Sequence, residues 1–512
     1  MDPTASVARP PSGGLDPRKF LSQSAATRVG ARTAFMEIPE KGWDADRVLE
    51  TLRSYQAHDL DGRGGRVFAY GYRPLERLEA TIQSAYVEFM GENALDPIAF
   101  PSLARIERDV VRMIAGLLRG DDRVVGNCTS GGTESILLAV KTARDWARRR
   151  RPEIREPEMV LPRSAHCAFH KAAQYFNVRP VAVAIDRQTM RADVDAVRRA
   201  VSANTILLVA SAPQYAHGVV DPVEEIAAFA RERGLWLHVD ACVGGIQLSI
   251  QREMGDARIP DFDFSVPGVS SISADMHKFG YSPKGASVVL YRDKSLRRPQ
   301  IFSSIASATY ALVNPTILST KSGGPLAGAW AALAHIGREG YREMLREVMR
   351  ATERMIEGIQ ASGDLYVLGR PHTSLFAIAS DRLNVFELAD EMQSRGWYLQ
   401  PQFSTECSPM NLHVTVNYGN VPVVDEFLSD LHASLDVLRA RKPIDVEEVR
   451  GQVQALLAST PPEGLYQAFA AAVGFADGRL PQKMALVNTF LECLPRDVGA
   501  EFLGDFVNDM YV

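Results

Sequence analysis

The chain reads as an α/β protein with a large, mostly parallel-sheet domain, a smaller C-terminal α/β domain and a helical N-terminal segment. Three observations predict this. From Val124 to Tyr291 short β-rich runs alternate with helical patterns, the order expected of a parallel sheet covered by helices. Ahead of it, Leu103, Ile106, Val110, Met113, Ile114 and Leu117 recur at helical spacing. Behind it, a helical stretch from about Pro325 to Ile359 leads into a unit of mixed pattern. A chain of 512 residues, 46% of them apolar, is long enough to bury more than one core.

Residues 1–32 are rich in Pro, Gly, Ser and Ala and lack the apolar core of a signal peptide, which predicts a mobile arm. Residues 33–120 form the helical N-terminal segment, broken by the glycine-rich loop Asp61-Gly-Arg-Gly-Gly65. The large domain covers 121–325, with strands predicted at Met159–Leu161, Val181–Ile185, Thr205–Val209, Leu235–Val239, Ser271–Ser273 and Ser287–Tyr291. Helices are predicted near Glu134–Trp146, Ala168–Tyr175, Val194–Val201 and Val223–Glu232. Linking helices and the small domain cover 326–442, with strands at Ser374–Ile378 and Leu412–Val416. A helical extension, 443–512, completes the chain, and no internal repeat is evident.

The net charge of −5, from 57 basic and 62 acidic residues spread along the chain, gives no global field for nucleic acid or anionic membrane. The basic run Arg148–Arg151 ends a helical stretch before Pro152, where cations suit the helix dipole. Five cysteines with no CxxC pair suggest neither a disulfide framework nor a zinc site, and fit a reducing cytoplasm. No run of 18 apolar residues predicts a spanning helix.

Parallel sheets bind ligands outside the carboxyl ends of their strands, so the residues just past each strand hold the candidate chemistry. Asn127-Cys-Thr-Ser-Gly-Gly-Thr-Glu134 lies between a strand-like run and a strong helix, where small residues expose N–H groups to an anion at a helix N-terminus. A plain turn with Thr133 as helix cap fits that segment equally. The strand Leu235–Val239 runs into Asp240, a carboxylate placed to pair with a pyridinium nitrogen, or else simply to cap the junction. After Ser271–Ser273 comes Asp275-Met-His-Lys278, whose lysine can form an imine with an aldehyde cofactor if its amine is partly desolvated. Any one lysine is more often an exposed loop residue. Phosphate loop, strand-end Asp and His-Lys following one another on a single sheet is what points to pyridoxal phosphate (PLP).

At these residues the chain resembles the sphingosine-1-phosphate lyases, fold-type I PLP enzymes related to the group II amino-acid decarboxylases. The resemblance covers about Asp96 to Tyr291 and continues less closely to the end. It rests on Phe100-Pro-Ser102, Thr129-Ser-Gly-Gly-Thr-Glu-Ser-Ile-Leu-Leu138, Ser164-Ala-His-Cys-Ala-Phe169, Ser211-Ala-Pro213, His238-Val-Asp-Ala-Cys242, Val266–Asp275 and Pro283-Lys-Gly285. It implies that Lys278 is the Schiff-base lysine, Asp240 the pyridinium partner and His166 the ring stacked on the cofactor. Ser130, Gly131, Gly132 and Thr133, with His277, would hold the cofactor phosphate. Tyr215, Lys284 and Tyr72 would face the substrate, Tyr72 from a neighbouring subunit of a homodimer.

Three departures from the lyase pattern surround the expected substrate phosphate. The chain has Asp96 where the lyases carry His, Ser319-Thr-Lys-Ser-Gly323 where they carry Gly-Ser-Arg-Pro-Gly, and Arg73 after Tyr72 in place of His. Asp96 would repel a phosphate but could face a cationic or hydroxylated substrate side chain, and with Thr320, Lys321 and Lys284 it is a candidate substrate contact. The expected activity is cleavage of the Cα–Cβ bond of a 2-amino-3-hydroxy substrate, with amino-acid decarboxylation as the rival. The expected partner is a small amine or amino acid, with no nucleic acid.

Overall fold

The computed structural model describes residues 37–306, 311–461, 464–474, 481 and 483–510. The predicted N-terminal arm, 1–32, lies outside them. Two compact units result: Leu60–Val385 with Met392–Asp436, and a second made of the chain up to Asp59, Phe386–Glu391 and Val437–Val512.

The first unit is built on a seven-stranded sheet. Its strands are β1 (Val125–Thr129), β2 (Glu158–Pro162), β3 (Arg179–Val183), β4 (Thr205–Ser211), β5 (Trp236–Asp240), β6 (Val269–Asp275) and β7 (Ser287–Tyr291), in the order β1-β7-β6-β5-β4-β2-β3. Pairing is parallel from β3 through β6, and β7 runs antiparallel to both β6 and β1. Every residue of β4 and β5 is buried, as expected where helices cover both faces. The helices Gly132–Arg150 and Ala168–Phe176 enclose a core around Trp236, Tyr291 and Phe169, in which Trp146 meets Trp236 edge-on at 5.6 Å.

Two short strands follow, β8 (Phe302–Ser304) and β9 (Leu312–Asn314), paired antiparallel. The small sheet holds β10 (Tyr366–Val367), β11 (Leu375–Ala379), β12 (Gln400–Gln402) and β13 (Asn411–Thr415), ordered β10-β11-β13-β12 and wholly antiparallel. The helix Gly324–Ala361 fills the region predicted as helical and is broken at Gly337, whose φ of 59° and ψ of 172° leave the helical range.

The fold class is as predicted, with three local differences. The strand predicted at Val181–Ile185 is β3, two residues earlier, and it includes Pro180. At the sheet edge the missing proline N–H faces no partner strand, so Pro180 costs the ladder nothing. Ile185 instead bridges Ala192. The helix Gly244–Glu253 was not foreseen, because its opening Gly-Gly argues against a helix. Packing decides the matter: a Cβ on Gly244 would stand 2.4 Å from the Ala212 carbonyl, so only glycine lets this helix approach the sheet. Strand β1, read only as strand-like, pairs residue by residue with β7.

The second unit is helical. Asp445 accepts hydrogen bonds from the N–H groups of Glu447 and Glu448 at 3.0 and 3.2 Å and so caps the helix Val446–Ser459. Phe469 packs on Phe490 and Phe502, with centroids 5.6 and 4.1 Å away. The buried Asp390 carboxylate accepts from the N–H groups of Met484 and Ala485, both at 2.8 Å, at the start of the helix Ala485–Cys493. No helix among the described residues is long and apolar enough to cross a membrane.

Candidate active site

The carboxyl ends of β1, β4, β5 and β6 open onto one cavity of about 310 Å³. It is lined by Ser130, Gly131, Gly132 and Thr133 after β1, by His166 after β2, and by Tyr215 after β4. Asp240 closes β5, and Asp275, His277 and Lys278 follow from β6. All eight residues expected to hold a cofactor therefore face the same space.

The turn after β1 is a glycine cradle. Gly131 has φ of +153°, and a Cβ on Gly132 would stand 2.8 Å from Asp275 Oδ2 and 3.0 Å from Cys242 Sγ. Helix geometry leaves the N–H groups of the first turn without internal partners, facing whatever enters. Glu134 braces the turn by accepting from the Ser130 N–H at 2.6 Å and from the Ile317 N–H at 2.7 Å.

Lys278 Nζ lies 3.0 Å from Asp275 Oδ2, and His277 Nε2 is 3.5 Å from the same oxygen. Burial alone would lower the Lys278 pKa, but Asp275, with Cys242, Tyr72 and Asp240 adding to it, raises it above the ordinary lysine value and keeps the ammonium protonated. Burial would likewise raise Asp275, yet Lys278 and His277 drive it well below the usual carboxylate range. Asp240 Oδ1 accepts from the Cys242 N–H at 3.0 Å and from Ser273 Oγ at 3.3 Å, which fixes the carboxylate at the cavity wall. His166 accepts from the Ala168 N–H through Nδ1 at 3.2 Å. Burial lowers its pKa against the opposing pull of Asp240, leaving a neutral ring at pH 7.

The small sheet backs Tyr215 on the cavity wall, and Tyr72 and Lys284 lie outside the lining itself. Tyr215 stacks on His413 of β13 with centroids 4.0 Å apart and 23° between planes, and its hydroxyl donates to Gln400 Oε1 of β12 at 2.5 Å. Lys284 donates to the carbonyls of Tyr70 and His277 and lies 4.9 Å over the Tyr72 ring. Burial, with Lys278 nearby, pushes the Lys284 pKa down to about 8. Tyr72, expected from a neighbouring subunit, stands in its own chain 5.2 Å from Phe279 and within electrostatic reach of Lys278 and Asp275.

Asp96, Thr320 and Lys321 are not brought to this cavity. Asp96 Oδ1 accepts from the N–H groups of Ile98 and Ala99, at 2.8 and 3.3 Å, in a loop beside a separate cavity of about 510 Å³. Thr320 and Lys321 line a third cavity of about 210 Å³ behind the cradle. Sequence reasoning gave no role to Asp275, although it stands in the quoted Asp-Met-His-Lys run, three residues from Lys278. It also passed over His413 and Gln400, which sit on short strands with no motif around them.

The residues fit PLP. A cradle that a Cβ would fill, a lysine beside it and a strand-end carboxylate across the cavity match the cofactor's phosphate, aldehyde and ring nitrogen. Comparison with known proteins agrees. A family model described as the pyridoxal-dependent decarboxylase conserved domain matches residues 77–378, and one described as a pyridoxal-dependent enzyme C-terminal putative HTH domain matches 448–509. The chain is 40% identical to the sphingosine-1-phosphate lyase of Arabidopsis thaliana over 411 residues, 79% of this chain and 74% of that protein. It is 38% identical to the rice (Oryza sativa subsp. japonica) sphingosine-1-phosphate lyase over 456 residues, 87% and 82% of the two chains. Among solved structures, the Burkholderia pseudomallei sphingosine-1-phosphate lyase superposes with a TM-score of 0.76 at 37% identity, covering 84% of this chain and 99% of that one. The chain thus belongs to the pyridoxal-dependent decarboxylase family and, within it, to the sphingosine-1-phosphate lyases, which makes it a PLP-dependent lyase.

Proposed function

We propose that the protein cleaves the Cα–Cβ bond of a long-chain 2-amino-3-hydroxy substrate bearing a phosphate, releasing a long-chain aldehyde and a small phosphorylated amine. The observation that carries this reading is the position of Asp96. Its carboxylate was the one charge set against a phosphate, and its acceptor oxygen is engaged by backbone N–H groups beside another cavity. Lys284, by contrast, sits next to Tyr72 and near Lys278, where an ammonium attracts an anion.

When bound, the cofactor supplies an aldehyde for the substrate amine and a ring that accepts the electron pair of the breaking bond. The chain's own residues do the rest. Lys278 is the attachment point, and its Nζ must pass a proton on before it acts as a nucleophile, with Asp275 Oδ2 beside it to favour that proton until the cavity fills. Asp240, held by Cys242 and Ser273, would pair its carboxylate with the cofactor's ring nitrogen. His166, neutral, offers a flat face. Tyr215, whose phenol burial pushes up, keeps its proton, which it donates to Gln400, and its ring helps wall the cavity. Orientation then decides which bond breaks, because only a bond held perpendicular to the ring feeds electrons into it.

We also propose a homodimer in a reducing cytoplasm. Ile98 and Ile305, 89% and 86% exposed, are apolar side chains that a partner copy would cover, and the five cysteines are all free. The test is to offer the PLP-loaded protein a long-chain amino-alcohol phosphate, its unphosphorylated form and a panel of amino acids, and to weigh the products. A long-chain aldehyde with phosphoethanolamine is expected. Carbon dioxide with an amine, and no aldehyde, would replace the reading with decarboxylation.

A further inference from the structure

Both phenols near Lys278 have a neighbour on one strand of the small sheet, β13, while the Tyr215 hydroxyl is also held by Gln400 of β12. His413 of β13 is fully buried, and its ring stacks on Tyr215 at 4.0 Å. Its Nε2 lies 2.7 Å from Thr415 Oγ1, two residues along the same face of the strand. Burial raises the pKa of the Tyr72 phenol, and the nearby Thr415 hydroxyl acts in the opposite direction. Burial holds the His413 imidazole down at about 3, so the ring is neutral and stays put across the working range of pH. An imidazole buried in the core without a charged partner costs free energy that a phenylalanine would not. The polar ring earns its place only if its nitrogen is used.

We propose that His413 is a positioning residue of the active site, aligning Tyr215 by its ring face and Tyr72 through Thr415, so that one strand contributes to setting both phenols. This rests on the lyase reading above. His413 does not line the cavity and acts through the two tyrosines.

Three variants separate its two functions. His413→Phe keeps the stack and loses the link to Thr415, His413→Gln keeps a polar tip and loses the stack, and Thr415→Val cuts the link from the other side. Measured on the PLP-loaded protein, each is expected to lower kcat by roughly 100-fold, the scale of an ångström-sized misplacement, with KM changed much less. The cofactor absorbance and the thermal midpoint should stay near those of the unsubstituted protein. His413→Phe combined with Thr415→Val should be no worse than either alone, since both cut one connection. In the cofactor-free protein, 3-fluorotyrosine at position 215 should give one fluorine resonance in the unsubstituted chain and in His413→Phe, and several in His413→Gln. Unchanged kcat in all three variants, or a single unshifted resonance in His413→Gln, would overturn the proposal. So would losses of kcat that merely follow the thermal midpoint. If the unsubstituted protein fails to cleave the amino-alcohol phosphate, the lyase reading falls, and the fluorine spectra still decide whether His413 fixes Tyr215.

Discussion

Lys278 and Asp275 form the tightest electrostatic pair in the cavity, at 3.0 Å and largely out of water. Removing the carboxylate leaves a buried ammonium without its counter-charge, so Asp275→Asn should drop the Lys278 pKa and speed capture of PLP at neutral pH. The rate at which absorbance develops after PLP is added measures this, and a slower rate than in the unsubstituted protein would contradict it. Lys284 gives a pH prediction. With its pKa lowered to about 8, its positive charge is present below that value and lost as pH rises through it. KM for a phosphorylated substrate should therefore climb between about pH 7 and 9. Lys284→Met should raise KM about tenfold at pH 7 and flatten the profile. Lys278 and Asp240 were legible in the sequence because each follows a predicted strand, and His166 only through the family resemblance. Asp275 was not, because its importance lies in a distance to Lys278 that spacing alone leaves open. His413 carries no signal of its own, since its partners Tyr215 and Thr415 are joined to it only by folding.

At the scale of elements, the turn between β1 and the helix Gly132–Arg150 is what makes an anion site out of a strand end. Gly132→Ala places a methyl 2.8 Å from Asp275 Oδ2 and 3.0 Å from Cys242 Sγ, where neither neighbour can retreat freely. The variant should lose about 1–3 kcal/mol of stability and bind PLP at least tenfold more weakly, read from chemical denaturation and a cofactor titration. In the helical unit, Asp390→Ala removes the acceptor for the Met484 and Ala485 N–H groups and should cost about 1 kcal/mol, measured as a fall in the denaturation midpoint. Strands β4, β5 and β7 were readable because both faces are buried and their sequences are mostly apolar, whereas β6, rich in serine, was read only over Ser271–Ser273. Elements set by contacts at a distance were not. Pro180 hid the start of β3, and the glycines that let the helix Gly244–Glu253 touch the sheet hid the helix itself.

For the whole molecule, the order of strands explains why distant sequence segments share one cavity. With β5 and β6 adjacent and β4 beside them, Asp240, Lys278 and Tyr215 leave neighbouring strands at the same sheet edge, and β7 running antiparallel brings β1 and its cradle to that edge too. That arrangement follows from an alternating strand and helix pattern, which is why the fold and the cofactor could be read early. The placement of Asp96 could not, since a loop residue's sequence neighbours say nothing about which cavity it lines. The central claim is that Lys278 carries the cofactor. Borohydride reduction of the PLP-loaded protein followed by peptide mass spectrometry tests it directly. A reduced pyridoxyl phosphate adduct on the peptide bearing Lys278, absent in Lys278→Ala, is the predicted result, whereas an adduct on Lys284 or on no lysine would contradict it.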